Sequence, residues 1–208
     1  MADLLYGPDG PAEHDLKLLG DVTGKRVLDL GCGDGAAAVA LAQHGAVVIA
    51  VDSSTARLAR ARARAEQAEV RVEFRDSDLA DLAFLRADSV DVVFSALAVD
   101  TLDDSARAFR QVQRVLKPNT PFVFSQAHPF SLCLDAGRVA RSYLDAGPVT
   151  VNRWGEQVTA YPRSLSAVFT DLARAGFRVD TLIEPKLAAA ATPHVPSIVV
   201  WRARKEGT

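Results

Sequence analysis

Two carboxylates set among three glycines give the stretch Val27-Leu28-Asp29-Leu30-Gly31-Cys32-Gly33-Asp34-Gly35 the clearest chemistry in this chain. Glycine reaches backbone angles closed to other residues and puts no Cβ between main chain and ligand, so Gly31, Gly33 and Gly35 suit a turn that wraps a bound group. The apolar Val27, Leu28 and Leu30 read as a short buried strand feeding the turn, and Ala36 to Ala42 as the helix leaving it. Strand, glycine turn and helix N-terminus form a cofactor cradle in doubly wound α/β folds, where ligands sit beyond the carboxyl ends of the strands. Asp52, Asp76, Ser77, Ser95 and His128 stand at or just past the ends of later strand-like runs, which brings them to the same side of such a sheet.

Two cofactors compete for the turn. Gly31-x-Gly33-x-x-Ala36 fits the dinucleotide fingerprint, which would make the chain an NAD-dependent oxidoreductase. A pyrophosphate there would meet the Asp29 and Asp34 carboxylates, with no Lys or Arg inside the loop to offset the repulsion. S-adenosylmethionine carries a sulfonium and an ammonium and no phosphate, so it suits an acidic turn better. The segment VLDLGCGDG resembles the first motif of the class I S-adenosylmethionine-dependent methyltransferases, and the resemblance runs from about Val22 to Trp201. RVLKP, ending at Pro118, resembles the family signature R-V-L-K-P-G-G with Asn119-Thr120 in place of the glycines. Tyr161 to Pro185 resembles a segment of the small-molecule members, of the type of the ubiquinone/menaquinone-biosynthesis methyltransferase domain; Pro162 stands where histidine is usual, so no role of that histidine carries over.

The resemblance implies that Asp29, Gly31, Cys32 and Gly33 contact the cofactor, that Asp52 and Ser53 meet its ribose, and that Asp76 and Ser77 meet its adenine. Ser95, ending the fourth strand, lies where the methyl group should point. A carboxylate at position 52 can accept from two vicinal hydroxyls, although Asp also caps helices well and one starts near Ser54. Asp78 is an alternative to Asp76, and an Asx turn would explain either. His128, with an ordinary imidazole pKa near 6.5, could take a proton from a phenol, a thiol or an ammonium; packing beneath a lid or bonding a loop carbonyl are the alternatives. Tyr6, Tyr143, Trp154 and Tyr161 are the aromatic candidates for substrate contact, with core packing the alternative for Tyr6. Arg57, Arg60 and Arg64 recur on one helix face and read as solvated.

The elements that must position these residues imply an α/β, Rossmann-like doubly wound sheet of seven strands, mostly parallel with an antiparallel last strand. Residues 131–160 lose long apolar periodicity and read as a lid with a β-hairpin inside a single domain spanning 1–208. A chain of 208 residues with 49% hydrophobic content can bury one substantial core. Net charge −2 disfavours a polyanion partner, and both nucleic-acid methyltransferase signatures are missing: no Pro follows Ser95, and neither cysteine follows a proline. The acidic, Pro- and Gly-containing N-terminus is unlike a signal peptide, and no apolar run is long enough to span a membrane, so a cytoplasmic monomer or homodimer is expected. Cys32 and Cys133 form no C-x-x-C pair, so neither a disulfide nor a metal site is signalled. The expected activity is methyl transfer to an O, N or C atom of a small molecule, with a non-catalytic S-adenosylmethionine-binding protein as the alternative.

Overall fold

The computed structural model describes residues 3–8, 10–186 and 194–207. The chain runs α1 (Glu13–Leu16), β1 (Arg26–Leu30), α2 (Ala36–Gln43), β2 (Val47–Asp52), α3 (Thr55–Gln67), β3 (Val72–Asp76), β4 (Val92–Ala96), α4 (Ser105–Val115) and β5 (Pro121–Ala127). Two short ribbons follow, β6 (Leu134–Asp135) with β7 (Arg138–Val139), and β8 (Val149–Arg153) with β9 (Glu156–Ala160). Helix α5 (Leu165–Arg174), β10 (Phe177–Ile183) and β11 (Ile198–Lys205) complete the order. The main sheet is β10-β11-β5-β4-β1-β2-β3, with β11 antiparallel to both neighbours and the other pairings parallel, as the sequence leads one to expect.

Period-two alternation builds the core on both faces. Leu28, Leu30, Val93, Phe122, Phe124 and Trp201 pack with Phe109 and Val112 of α4 on one face. Val27, Val48, Phe94, Val123 and Val200 pack with Leu41 of α2 and Leu58 of α3 on the other. The helices start where a side chain can satisfy a free N–H: Ser54 accepts from Arg57, Asp104 from Arg107 and Ser164 from Ala167. Helix α4 gives way to extended backbone at Leu116, just ahead of Pro118, and Asn119 takes the left-handed turn (φ 65°) that replaces the expected glycines.

Helix α1 is a single turn, stopped by left-handed Lys17, with Leu18 and Leu19 buried beyond it. The Ala65 carbonyl accepts from Val70 and prolongs the exit of α3, so β3 begins at Val72. β11 runs to Lys205, since Arg202 and Arg204 stay in the sheet by pairing with Asp180 of β10. Among the described residues no helix is long and apolar enough to cross a membrane.

Candidate active site

Strand order reverses between β1 and β4, and a cavity of about 480 Å³ opens there beyond their carboxyl ends. Its floor is the turn from Gly31 to Asp34. The Gly31 and Cys32 N–H groups donate to the Val51 carbonyl at 2.8 and 2.9 Å, and the Gly33 N–H donates to the Asp52 carboxylate at 2.9 Å, so the turn is welded to β2. Gly31 must be glycine twice over. Its φ is +80°, and a Cβ would lie 2.2 Å from the Ala98 Cβ. Gly33 (φ +55°) has open space where a Cβ would be, which leaves its main chain bare toward the cavity.

Asp29 carries the strongest signal for a ligand. It is 1% exposed, lines the cavity, and its Oδ2 has no hydrogen-bond partner. Burial, then the neighbouring Asp52 charge, pushes its carboxyl up to about 7. Burial also raises the Cys32 thiol, with Asp29 and Asp52 adding to the effect, so Cys32 lines the cavity as a protonated thiol. Asp34 is different: Arg64 of α3 pairs with it at 2.5 Å and holds its carbonyl. The loop contains no cation, yet α3 supplies one from 30 residues away, so the uncompensated negative charge belongs to Asp29 and Asp52.

The structure gathers Asp29, Gly31, Cys32, Gly33, Asp52 and Ser53 around the cavity. Asp52 is no helix cap: its carboxylate accepts from Gly33 and from Ser54, while Ser54 itself caps α3. Asp76 pairs with Asp52 in the β2–β3 register and is exposed; the Ser77 N–H, the group expected to meet the adenine, donates to the Asp52 carbonyl at 3.3 Å and its hydroxyl to the Asp81 carbonyl, while Leu79 lines the cavity. Ser95 is fully buried and donates to the Leu30 carbonyl at 2.7 Å, so it bridges β4 to β1, and Ala96 takes the cavity position.

His128 does not reach the cavity. It is 6% exposed, its Nδ1 accepts from the Phe130 N–H, and its Nε2 sits 2.7 Å from Glu184, which fixes the proton on Nε2 and occupies both nitrogens. Tyr6 is a core residue, its ring tilted against Phe94 with centroids 5.5 Å apart, its hydroxyl donating to Glu13 and its pKa raised by burial; its neighbours Leu5, Gly7 and Pro8 line the cavity instead. Tyr143 uses its hydroxyl to accept the Leu165 N–H at the start of α5. Tyr161 faces a separate narrow crevice with Pro162 and Arg163. Trp154 is the aromatic candidate that lines the cavity, 61% exposed at its rim.

Trp154 stands there because β8 and β9 join through the two-residue turn Trp154-Gly155, both with positive φ, the geometry that suits the strand twist. A bulky residue is costly in the left-handed region, where Asn is usual. On either side of the turn sit residues that sequence reading passed over. Arg153 forks onto Asp100, and Glu156 lies between Arg57 and Arg60 of α3 at 2.8 and 2.9 Å. Arg153, Arg57, Arg60 and Glu156 all line the cavity. Their partners are 53 to 99 residues apart, beyond the reach of any spacing rule.

Residues 28–124 match a family described as "Methyltransferase domain". The chain is 36% identical over 102 residues to the "Ubiquinone biosynthesis O-methyltransferase" of Hahella chejuensis, 49% of this chain and 43% of that protein. It spans only 43 to 65% of the curated relatives of that name. A putative S-adenosylmethionine dependent methyltransferase from Listeria monocytogenes superposes with a TM-score of 0.77 at 28% identity, covering 94% of this chain and 98% of that one. One from Mesorhizobium loti does so with 0.73 at 29%, covering 95% and 100%. The acidic glycine turn, the reversal of strand order at β1 and β4 and the antiparallel β11 accompany these likenesses, which make the chain similar in fold to S-adenosylmethionine dependent methyltransferases and, over residues 28–124, to a methyltransferase domain.

Proposed function

We propose that this protein transfers the methyl group of S-adenosylmethionine to a small-molecule acceptor, an oxygen nucleophile first among the candidates. The observation that carries the reading is the buried, unpartnered carboxylate oxygen of Asp29 in the wall of the cavity. A carboxylate left in that state calls for a cation, and the cofactor's ammonium and sulfonium supply one where a pyrophosphate would be repelled. The bare main chain at Gly33 and the remaining lone pairs of Asp52 would receive further polar groups, the ribose hydroxyls among them. Bound there, the cofactor supplies an already activated methyl electrophile.

The chain's own contribution is placement. Leu97, Ala98 and Trp154 form an apolar stretch of wall facing the glycine turn, suited to holding an aromatic acceptor. Orientation of this kind contributes on the order of 7 to 11 kcal/mol. His128, with both ring nitrogens committed, is assigned a structural role, as is Ser95, whose hydroxyl donates to the Leu30 carbonyl. The choice of oxygen follows the ubiquinone biosynthesis relatives, which are O-methyltransferases. Incubation with cofactor labelled in its methyl group and a panel of phenols, catechols, amines and thiols tests the reading. Label passing to a hydroxylated aromatic supports it; transfer to amines alone would refute the oxygen preference, and no transfer to any acceptor class would refute catalysis.

A further inference from the structure

Arg153 belongs to a largely exposed ribbon, yet it is 6% exposed and satisfies three acceptors at once. Nη1 donates to the Leu97 carbonyl at 2.6 Å and to Asp100 Oδ1 at 2.7 Å; Nη2 donates to Asp100 Oδ2 at 2.6 Å. Asp100 is a hub in its own right. Its Oδ2 also accepts the Ala127 N–H at the end of β5, and its carbonyl accepts the Tyr161 N–H just after β9. The guanidinium therefore ties the segment after β4 to β5 and to the ribbon.

What that segment touches gives the tie its meaning. Leu97 is held in the left-handed region (φ 53°), with its N–H shared between the Ser125 carbonyl and hydroxyl. The next side chain, Ala98, presses on Gly31 so closely that a Cβ there could not be accommodated. Asp29, Gly31, Leu97, Ala98 and Arg153 all line the one cavity. Any drift of the Leu97 carbonyl is a drift of Ala98 against the glycine turn. A lysine could supply charge but not three donors in a fixed fork.

We propose that Arg153 is a positioning residue: through Leu97 and Asp100 it holds the segment after β4 against the Gly31 turn in the one arrangement that admits the cofactor. The inference rests on the S-adenosylmethionine reading. Calorimetric titration with S-adenosylhomocysteine separates the two, because failure of the wild-type protein to bind would sink that reading, whereas binding unchanged in the variants would sink only this proposal.

Two variants are needed, since removing Arg153 alone strands a buried Asp100 charge. Arg153→Lys keeps the charge and loses the fork. The double variant Arg153→Met with Asp100→Asn removes both charges, keeps an acceptor for the Ala127 N–H and frees the Leu97 carbonyl. Both are expected to bind S-adenosylhomocysteine at least tenfold more weakly at a stoichiometry near one per chain, with the double variant melting close to wild type. A purely structural residue would instead lower the melting temperature or the binding-competent fraction and leave the dissociation constant alone. Wild-type affinity in Arg153→Lys overturns the proposal, whether or not the double variant folds.

Discussion

At the scale of single residues, Asp29 and Asp52 carry opposite burdens. Asp29 is costly without a ligand. Its folded pKa, raised to about 7 by burial and by Asp52, lies above the ordinary carboxylate value, so the folded chain holds a proton the unfolded chain releases. The stability this contributes to the ligand-free protein is complete below about pH 4 and is lost as pH rises through 7. Binding of a cation selects the ionised form, so affinity for S-adenosylhomocysteine should climb with pH, approaching tenfold per unit below 7 and levelling above it. Melting curves and calorimetry from pH 5.5 to 8.5 check both halves; parallel pH trends for stability and affinity would refute the assignment. Asp52→Ala should weaken the cofactor at least tenfold and also destabilise the fold by about 1 to 3 kcal/mol, because it strands the Gly33 and Ser54 N–H groups. Urea denaturation alongside calorimetry separates the two losses.

At the scale of elements, the β8–β9 ribbon is tied at unequal strength on either side of its turn. Arg153 and Asp100 are 6% and 7% exposed, whereas Arg57, Arg60 and Glu156 are 34%, 54% and 46% exposed. Arg57 foremost, then Arg60, holds the Glu156 carboxyl below its usual range. Salt screens exposed pairs and spares buried ones, so the Glu156 contact is the one that can release. Stopped-flow displacement of S-adenosylhomocysteine should show dissociation quickening with ionic strength in the wild type, and Glu156→Gln should be fast and nearly salt-independent. Equal salt dependence in the two proteins would mean that the ribbon does not gate the cavity. The contact of His128 with Glu184 is an anchor of a different kind: His128→Ala should cost about 1 to 3 kcal/mol in urea denaturation and leave cofactor affinity unchanged.

At the scale of the whole molecule, what the sequence made legible is what depends on local pattern. Val27 to Gly35 is contiguous, so its strand, its turn and Asp29 could be read along the chain, as could Asp52 at the end of its own apolar run and the pattern that builds seven strands; the pairing of Asp29 with Asp34 as free charges could not anticipate Arg64 of α3. Ser95 was placed by its position at a strand end and Tyr6 was open to packing or contact; what decides the surroundings of each, the Leu30 carbonyl or Phe94, comes from another element. Asp76 ends its strand in register with Asp52 and is exposed, and among the described residues it has no side-chain contact to the turn that the local pattern could have revealed. Arg153 and Glu156 were invisible because only tertiary folding lays their ribbon over α3 and the β4 end.

The central claim is that the cavity at the β1 and β4 ends holds S-adenosylmethionine through the unpaired charge of Asp29. The most direct measurement is the melting temperature at pH 8 with S-adenosylhomocysteine or NAD at a hundredfold excess over the expected dissociation constant, for the wild type and Asp29→Asn. One bound ligand at that excess adds about 2.7 kcal/mol, a rise of roughly 5 to 10 °C for a chain of this length. The account predicts that rise for the wild type with S-adenosylhomocysteine and none with NAD, and an Asp29→Asn protein that melts higher without ligand and gains far less from it. A comparable rise with NAD, or an Asp29→Asn variant that responds to S-adenosylhomocysteine as fully as the wild type, would contradict it.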